Sequence, residues 1–281
     1  MSRAVKGLDH VVVMVDGIDA AEAAYRRLGF QVQPRGFHRK LGTANHLMIF
    51  EHDYFEILGI VEDTPFNAER REWLKDGGGL ANVALATDGA DLAFDAFKAA
   101  GLQPDAPLFF DRAVDIAGKM EHAQFRTVRI PKTNMPVVGF FVCEHLTPQF
   151  VYRAEWARHP NGARGILGVT VIAEQPHKWA GELERYFGAG SARRDGAGLV
   201  AETGTQPIHY LTRADYGRRY PGVTPVRSGD HPALLSVRVD SLAACEALLR
   251  GNGVAVVKPD AERLIVPPSE AAHLTLELRE R

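Results

Sequence analysis

The sequence predicts an α+β fold built from four copies of one unit, a strand, a helix and then about three more strands. Two observations lead to this prediction. An apolar strand followed by an amphipathic helix that ends at a glycine recurs four times along the 281 residues. After the helix, the alternating apolar pattern typical of strands resumes. Because the helix covers only one sheet face, the units are expected to pair into two concave mixed sheets that enclose cavities.

The first two copies lie in the N-terminal half of the chain. Their strands are predicted at residues 8–15, 47–50, 54–60, 80–87, 125–130 and 137–143, and their helices at 19–28 and 91–100. The helices stop at Gly29 and Gly101, as is typical of a left-handed helix cap. The polar segment 62–79 is interpreted as a linker between the copies, and its three terminal glycines as a flexible turn.

The other two copies occupy the C-terminal half. Their strands are predicted at residues 166–173, 233–240, 264–266 and 274–278, and their helices at 177–187 and 242–250. Pairing copy one with two, and three with four, predicts domains at residues 1–145 and 165–281. Residues 146–164 between them are predicted to be a connector, which the aromatic side chains Phe150, Tyr152 and Trp156 pack against the protein.

The net charge and the length of the apolar runs limit which kinds of protein and ligand are compatible with the sequence. The formal net charge is −2 and both signs are scattered along the chain, which argues against the basic face that nucleic acids need. No apolar run approaches the roughly 20 residues of a membrane helix, and no signal-peptide pattern is recognised. We therefore expect a cytoplasmic protein that binds a small molecule. The repeat also permits a homodimer in which units pair between chains.

Two ionisable residues interrupt strands that are otherwise built for burial. His10 lies within the apolar run 8–15, and Glu56 lies within the apolar run 54–58. A buried ionisable side chain needs a partner, and one cation would satisfy both residues. Imidazole and carboxylate ligands suit Zn²⁺, Mn²⁺, Fe²⁺ or Ni²⁺. His10 bonded to a backbone carbonyl and Glu56 paired with an arginine or lysine are the structural alternatives.

Side-chain alternation along the strands predicts that both residues face the same cavity. The period of two puts His10 on one face with Leu8 and Val12. By the same count Glu56 lies on the face opposite Phe55, which should point to the helix. The imidazole and the carboxylate are therefore expected to converge from neighbouring strands.

Several segments carry a resemblance to a known family. Residues 35–38 (Arg-Gly-Phe-His), 42–45 (Gly-Thr-Ala-Asn) and the stretch 145–162 resemble the glyoxalase-like domain proteins of the vicinal oxygen chelate (glyoxalase/bleomycin resistance/dioxygenase) superfamily. The resemblance is most specific over residues 8–60 and 143–170. It implies paired βαβββ modules around a site that holds a divalent metal in many relatives. Because those relatives include isomerases, dioxygenases, epimerases, thiol transferases and antibiotic-sequestering proteins, it implies no substrate.

The ligand positions of the other copies depart from the superfamily pattern. In copy two, Asn82 stands where copy one has His10, and Phe141 stands where it has Glu56. The C-terminal copies offer Gly168, Ser236 and Glu277 at the matching positions, so the C-terminal domain is predicted to be degenerate. Either a third ligand comes from elsewhere or no metal binds tightly. The candidates for a third ligand are His38, His46, Glu144 and His145.

Further residues are candidates for catalysis and substrate binding. Glu56, His38 and His46 are the candidate acid-base residues. Asn45, Arg153 and Trp156 are the candidate substrate-binding residues, with a turn role for Asn45 and a stacked pair of Arg153 with Trp156 as alternatives. We interpret the aromatic residues Phe109, Phe110, Phe140 and Phe141 as sheet core and Cys143 as a packing residue.

Two functions are compatible with these residues. The first is an enzyme, a metal-assisted lyase or isomerase or a related dioxygenase, which acts on a small oxygen-rich substrate in the N-terminal domain. The second is a non-enzymatic module of the bleomycin-resistance type that binds a small molecule in the same cleft. The missing ligands favour the second function, and the presence of both His10 and Glu56 favours the first.

Overall fold

The protein forms two eight-stranded mixed sheets in a computed structural model that describes residues 4–131 and 135–280. The first sheet contains β1 (Gly7–Met14), β2 (Gly36–His38), β3 (Thr43–Ile49), β4 (Tyr54–Ile60), β5 (Gly79–Ala86), β6 (Leu108–Ile116), β7 (Lys119–Arg129) and β8 (Gly139–His145). The helices of this half are α1 (Ile18–Arg27), α2 (Ala68–Lys75) and α3 (Ala90–Ala99). The strand order is β2-β3-β4-β1-β5-β8-β7-β6, which confirms the predicted fold class of paired modules.

The second sheet repeats this arrangement. It contains β9 (Ala163–Ile172), β10 (Ala192–Asp195), β11 (Gly198–Ala201), β12 (Ile208–Leu211), β13 (His231–Val239), β14 (Val257–Asp260), β15 (Arg263–Val266) and β16 (Thr275–Arg279). Its helices are α4 (Ala180–Phe187), α5 (Arg213–Arg219) and α6 (Leu242–Gly251). The order β10-β11-β12-β9-β13-β16-β15-β14 matches that of the first sheet strand for strand. The division into domains at residues 1–145 and 165–281 stays a prediction.

One hydrophobic core lies on the helix-bearing faces of both sheets. It includes Val11 and Val13 of β1, together with side chains of α1, α3, α4 and α6. Tyr186 of α4 contacts Phe97 of α3 edge to face, with ring centroids 5.7 Å apart. Since burial of apolar area is the main favourable term in folding, this shared core holds the two sheets together.

The face of the second sheet that points away from this core is filled by its own side chains. Tyr216 of α5 and the nearby Tyr220 pack with Leu211, Leu234 and Ile265 in a separate buried cluster. Thr212 caps α5 by accepting the backbone N–H of Asp215. The filled face favours the prediction that the C-terminal half is degenerate.

The segment 62–79 contains a helix that the sequence pattern did not predict. A 3-10 helix at Pro65–Asn67 leads into α2, and β5 already begins at Gly79. α2 is polar and short, and its stability comes from tertiary contacts, since Trp73 and Leu74 pack against Met14 of β1. Arg227 of the C-terminal half stacks on Trp73, with its guanidinium carbon 3.8 Å from the ring centroid. The segment 62–79 therefore links the two copies as interpreted, but it does so through a helix that packs on the first sheet.

The connector 146–164 packs against the first sheet. Val151 is buried in a cluster that Tyr152 and Trp156 join. His159 accepts the backbone N–H of Gln31 at 2.9 Å and donates to the carbonyl of Ile49 at 2.8 Å. Among the helices within 4–131 and 135–280, none is long and apolar enough to cross a membrane.

Asp53, in the turn between β3 and β4, links the two halves of the chain. Its carboxylate accepts the backbone N–H of Ile166 at 3.0 Å and the side-chain amide of Gln206 at 2.8 Å. Burial raises the pKa of Asp53 to about 7, against an ordinary value of 3.8. The folded protein therefore holds a proton at pH values where the unfolded chain has released it.

This raised pKa predicts a pH dependence of stability. Protonated Asp53 favours the folded state, so the stabilisation is complete below about pH 4 and is lost as the pH rises to about 7. The free energy of unfolding should fall through this window by on the order of 1.4 kcal/mol per pH unit. Denaturant unfolding of wild type and of Asp53→Asn, measured from pH 4 to 8, checks it. The variant should lack this slope, and an equal slope in both proteins would contradict the assignment.

Candidate functional site

The first sheet curls around a cavity of about 580 Å³. Its edge strands β2 and β6 come into contact, so the sheet is nearly a closed barrel, and α2 contributes to the cavity lining. Every strand of the sheet contributes a lining residue. A cavity of this size, mostly apolar with a few converging polar groups, is typical of a small-molecule site.

His10 and Glu56 meet in this cavity. His10 Nε2 lies 3.8 Å from Glu56 Oε2, and both side chains are nearly inaccessible to solvent. Val12 of β1 is paired with Glu56 of the parallel strand β4, so these two side chains lie on the same face of the sheet. His10, two residues before Val12, lies on that face as well. Tyr54, two residues before Glu56, stacks on the His10 ring at a centroid distance of 4.3 Å.

A bulge in β1 adds an acidic residue that the period of two assigns to the other face. The pairing of β1 with β5 shifts register between Leu8 and His10, so one extra residue is inserted there. Leu8 consequently belongs to the shared core rather than to the cavity face, and its predicted position beside His10 was wrong. Asp9 lies on the side of His10 instead, and its Oδ2 accepts a hydrogen bond from His10 Nδ1 at 2.6 Å.

Asp9 is the centre of a buried hydrogen-bond network. Its Oδ2 also accepts from His145 Nε2 at 3.0 Å, and its Oδ1 accepts from the hydroxyl of Tyr152 at 2.8 Å. Burial alone would raise the pKa of Asp9, but His145 and His10 outweigh it and hold that pKa well below its ordinary value. Asp9 is therefore an anion that accepts the Nδ1 proton of His10 and orients the ring with Nε2 toward Glu56.

Four side chains around Asp9 also form a group with metal-ligating atoms. One ligand atom from each of Asp9, His10, Cys143 and His145 lies within 4.8 Å of the others. Burial, with a further contribution from Asp9, raises the pKa of the Cys143 thiol well above its ordinary value, so the thiol is protonated unless a cation binds. The interpretation of Cys143 as a packing residue missed this group, because the bulge that turns Asp9 inward leaves no signal in the alternation.

Asn45 and His38 extend the polar floor of the cavity. The Asn45 amide donates to Glu56 Oε1 at 2.5 Å, and the same nitrogen lies 3.4 Å from His38 Nε2. His38 Nδ1 lies 3.1 Å from the hydroxyl of Thr43. Burial lowers the pKa of His38 to about 4, so its imidazole is neutral at neutral pH. Both residues are therefore placed where a ligand would contact them.

His46 does not reach the cavity. It precedes Leu47 and follows Asn45 on β3, and successive side chains on a strand point to opposite faces. Its Nδ1 donates to the carbonyl of Gln33 at 2.8 Å, and its Nε2 lies 3.3 Å from Glu22 of α1. His46 therefore lies on the helix side of the sheet, which rules out the predicted roles as proton carrier and as third ligand.

Three more predicted residues also lie outside the cavity lining. Arg153 pairs with Glu155 and stacks on Trp156, with its guanidinium carbon 5.4 Å from the ring centroid, which is the stacked-pair alternative. Trp156 borders a separate cleft beside β6. Glu144, a candidate third ligand, accepts the backbone N–H of Ala90 at the start of α3 at 3.0 Å.

The copy-two positions are as the sequence alignment of the units places them. Ala84 is paired with Phe141 as Val12 is with Glu56, so Phe141 occupies the position equivalent to Glu56. Asn82 and Phe141 both line the cavity. Phe110 lines it as well. The interpretation of these aromatic residues as sheet core holds for Phe140 but was wrong for Phe110 and Phe141, which line the cavity, and for Phe109, whose side chain is exposed.

Two arginines in the cavity wall were missed. Arg112 of β6 is 3% exposed, and Arg70 of α2 lies at the cavity with its Nε shielded from solvent. Both belong to elements that the sequence analysis did not predict. The only signal for Arg112 is its spacing of two from Phe110, which puts both on the inner face of β6.

Comparisons with known proteins agree with this architecture. A family model described as "Glyoxalase-like domain" matches residues 8–187. None of the curated proteins compared with the sequence matches it. A solved structure of a hypothetical protein from Staphylococcus aureus is 9% identical, with a TM-score of 0.67, and the match covers 97% of this chain and 98% of that one.

Two further structures are similar over nearly the whole chain. One is a xylose isomerase-like TIM barrel/4-hydroxyphenylpyruvate dioxygenase fusion protein, with 16% identity, a TM-score of 0.62 and coverage of 99% of this chain. The chain spans 49% of that fusion protein. The other is a mutant of 4-hydroxymandelate synthase from Streptomyces coelicolor, with 12% identity, a TM-score of 0.58 and coverage of 98% and 92% of the two chains.

At these identities the structural matches establish the fold alone, an α+β glyoxalase/dioxygenase-like fold. The family model is the more specific finding, because it covers more than half of the sequence, including β1 to β8 and every residue of the cavity lining. The chain belongs to the glyoxalase-like domain family, as the resemblance implied.

Proposed function

We propose that the cavity of the first sheet is the active site of an enzyme of the lyase or isomerase class that acts on a small oxygen-rich substrate, with a divalent metal held by His10 and Glu56. One observation carries the proposal. His10 Nε2 and Glu56 Oε2 face each other at 3.8 Å in a buried site, which is beyond hydrogen-bond distance.

The surroundings of His10 support a ligand role. Asp9 accepts the proton on Nδ1, so the lone pair of Nε2 points toward Glu56. Histidine ligands of metals generally donate their other ring N–H to a carboxylate or carbonyl in this way, which orients the ring and raises its basicity. Asn45 fixes the other oxygen of Glu56 by donating to Oε1. Both candidate ligands are thus held in place by neighbours.

The donor set fits a divalent transition ion. Metal bonds to nitrogen and oxygen are about 2.0 to 2.2 Å long, so two ligand atoms 3.8 Å apart can share one ion. When bound, such an ion would act as a Lewis acid toward a substrate oxygen. Asn82 and Phe141 leave the other side of the site without side-chain ligands, which leaves room for substrate oxygens.

The chain's own residues supply the remaining functions. His38 is neutral at neutral pH because burial lowers its pKa to about 4, so its ring can accept a hydrogen bond from the substrate without carrying a charge. Asn45 lies between His38 and Glu56 and keeps the two apart. Phe110 and Phe141 line the cavity and exclude water from the polar floor. A cytoplasmic location and a homodimer remain part of this proposal.

The second candidate function is binding without catalysis. The apolar and aromatic lining and the missing copy-two ligands favour it, since a binding module needs a shaped cleft but no complete ligand set. Binding without catalysis leaves the close approach of His10 Nε2 and Glu56 Oε2 without an explanation. Metal content separates the two functions.

Metal analysis of the purified wild-type protein, by mass spectrometry under native conditions and by elemental analysis, tests the proposal. We expect about one transition ion per chain, and its loss in His10→Ala and in Glu56→Gln, since each removes a ligand. His46→Ala is the matched control, because His46 lies on the other side of the sheet, and it should keep the ion. Wild type that holds no ion after incubation with Zn²⁺, Mn²⁺, Fe²⁺ or Ni²⁺ would favour the binding module.

The same measurement distinguishes the two places where an ion could lie. Cys143→Ala should keep the ion if His10 and Glu56 hold it, because the thiol belongs only to the group around Asp9. Loss of the ion in Cys143→Ala together with its retention in Glu56→Gln would move the metal to that group.

Asp9→Asn tests the orienting role of Asp9. Its amide cannot serve as the anionic acceptor of the His10 proton, so metal affinity should fall roughly 10- to 100-fold, as for other residues that orient a ligand. Competition with a chelator measures the affinity. Asp53→Asn, a buried aspartate outside the cavity, is the control. Equal affinity of Asp9→Asn and wild type would show that Asp9 does not orient a metal ligand.

A further inference from the structure

Arg112 and Arg70 line the cavity without the partners that buried arginines normally have. Within residues 4–131 and 135–280, neither guanidinium makes a hydrogen bond or an ion pair, and the Nε atom of each is buried and unpartnered. Arg129, which lines the same cavity, pairs with Asp105 at 2.7 Å and with Glu69 at 3.5 Å. The two unpaired arginines therefore differ from Arg129 in lacking an acidic partner.

An unpaired buried cation destabilises the folded protein. Burial lowers the pKa of both guanidinium groups, and the attraction of Glu56 offsets this only in part. A buried charge without a hydrogen-bonded partner has lost its hydration and gained nothing in exchange. A fold retains such a residue when a partner outside the chain completes it.

Arg112 is also held in a defined position. Its Cδ and Nη1 lie 2.6 and 2.7 Å from the point that a Cβ on Gly36 would occupy. The side chain thus crosses from β6 and lies against the backbone of β2, which only glycine permits at this distance. Asn45 Oδ1, a buried acceptor without a partner, lies 2.5 Å from the same point. The guanidinium is therefore preorganised at the polar floor of the cavity.

We propose that Arg112 and Arg70 bind the carboxylate of the ligand, and that this ligand is an apolar body with a single negative charge. The inference rests on the proposed function only in placing the ligand in this cavity. The planar guanidinium offers parallel N–H donors that match a carboxylate. Glu56 attracts both arginines but forms a hydrogen bond with neither, so their N–H donors remain available to the carboxylate of a ligand.

The rest of the lining specifies the body of the ligand. Phe110 and Phe125 stack on each other at a centroid distance of 5.2 Å, and Phe141 and Trp73 add further aromatic surface. These side chains surround an anion site with apolar walls, which disfavours a highly charged ligand such as a phosphate ester. The cavity therefore selects a monocarboxylate with an aromatic or aliphatic body.

Titration calorimetry of the wild-type protein with benzoate, phenylacetate and octanoate, each beside its neutral amide, tests the proposal. We expect at least one carboxylate to bind roughly 10- to 100-fold more tightly than its amide, as charged hydrogen bonds of 1.5 to 3 kcal/mol imply. Arg112→Met should abolish this preference, and Gly36→Ala should weaken it by displacing the side chain of Arg112. Arg129→Gln, at the paired arginine, should leave the preference intact.

Thermal unfolding of the ligand-free protein distinguishes a ligand-binding role of Arg112 from a purely structural one. If Arg112 is kept for a ligand, Arg112→Met should unfold at the same temperature as wild type or higher, because an unpaired buried charge is removed. A large fall in the melting temperature would identify Arg112 as a structural residue. Equal binding of carboxylates and amides, no binding of any carboxylate, a preference that survives Arg112→Met, or tighter binding of inorganic phosphate would each overturn the proposal.

The result of the carboxylate-binding experiment can be distinguished from the result of the metal analysis. Carboxylate binding that depends on Arg112 in a protein without metal supports the anion site and contradicts the proposed enzyme. A stoichiometric metal ion without any preference for carboxylates gives the opposite result.

Discussion

The hydrogen bond from His10 to Asp9 is the constraint on which the candidate site depends. It exists because a bulge in β1 turns two consecutive side chains to the same side of the sheet, which a regular strand cannot do. Asp9 then links β1 to β8 through His145 and to the connector through Tyr152. A single carboxylate therefore orients the His10 ring, and with it the nitrogen that faces Glu56.

The two halves of the chain have the same strand order but differ in what covers the inner face of the sheet. In the first sheet the inner face carries His10, Glu56 and Arg112 and remains open to a ligand. In the second, Tyr216 and Tyr220 cover the equivalent face. Filling that face with tyrosines gives the C-terminal half a separate buried cluster of its own.

Sequence reasoning predicted the repeat, both sheets and the meeting of His10 with Glu56, because apolar alternation and helix-ending glycines are local signals. It failed where long-range contacts decide the structure. α2 is stabilised by Trp73 and Leu74 on β1 rather than by its own residues. The bulge at Asp9 depends on pairing with β5, and the burial of Arg112 depends on Gly36 of a distant strand. His46 was misplaced although alternation alone separates it from Asn45.

α2 connects the open half of the chain to the filled half. Its Arg70 and Trp73 line the cavity. Arg227 of the C-terminal half stacks on Trp73 and donates to the carbonyls of Trp73 and Gly78. A change in the C-terminal half that displaced Arg227 would therefore reach the cavity wall through α2. The C-terminal half thus affects the shape of the cavity, although the lining residues come from the N-terminal half.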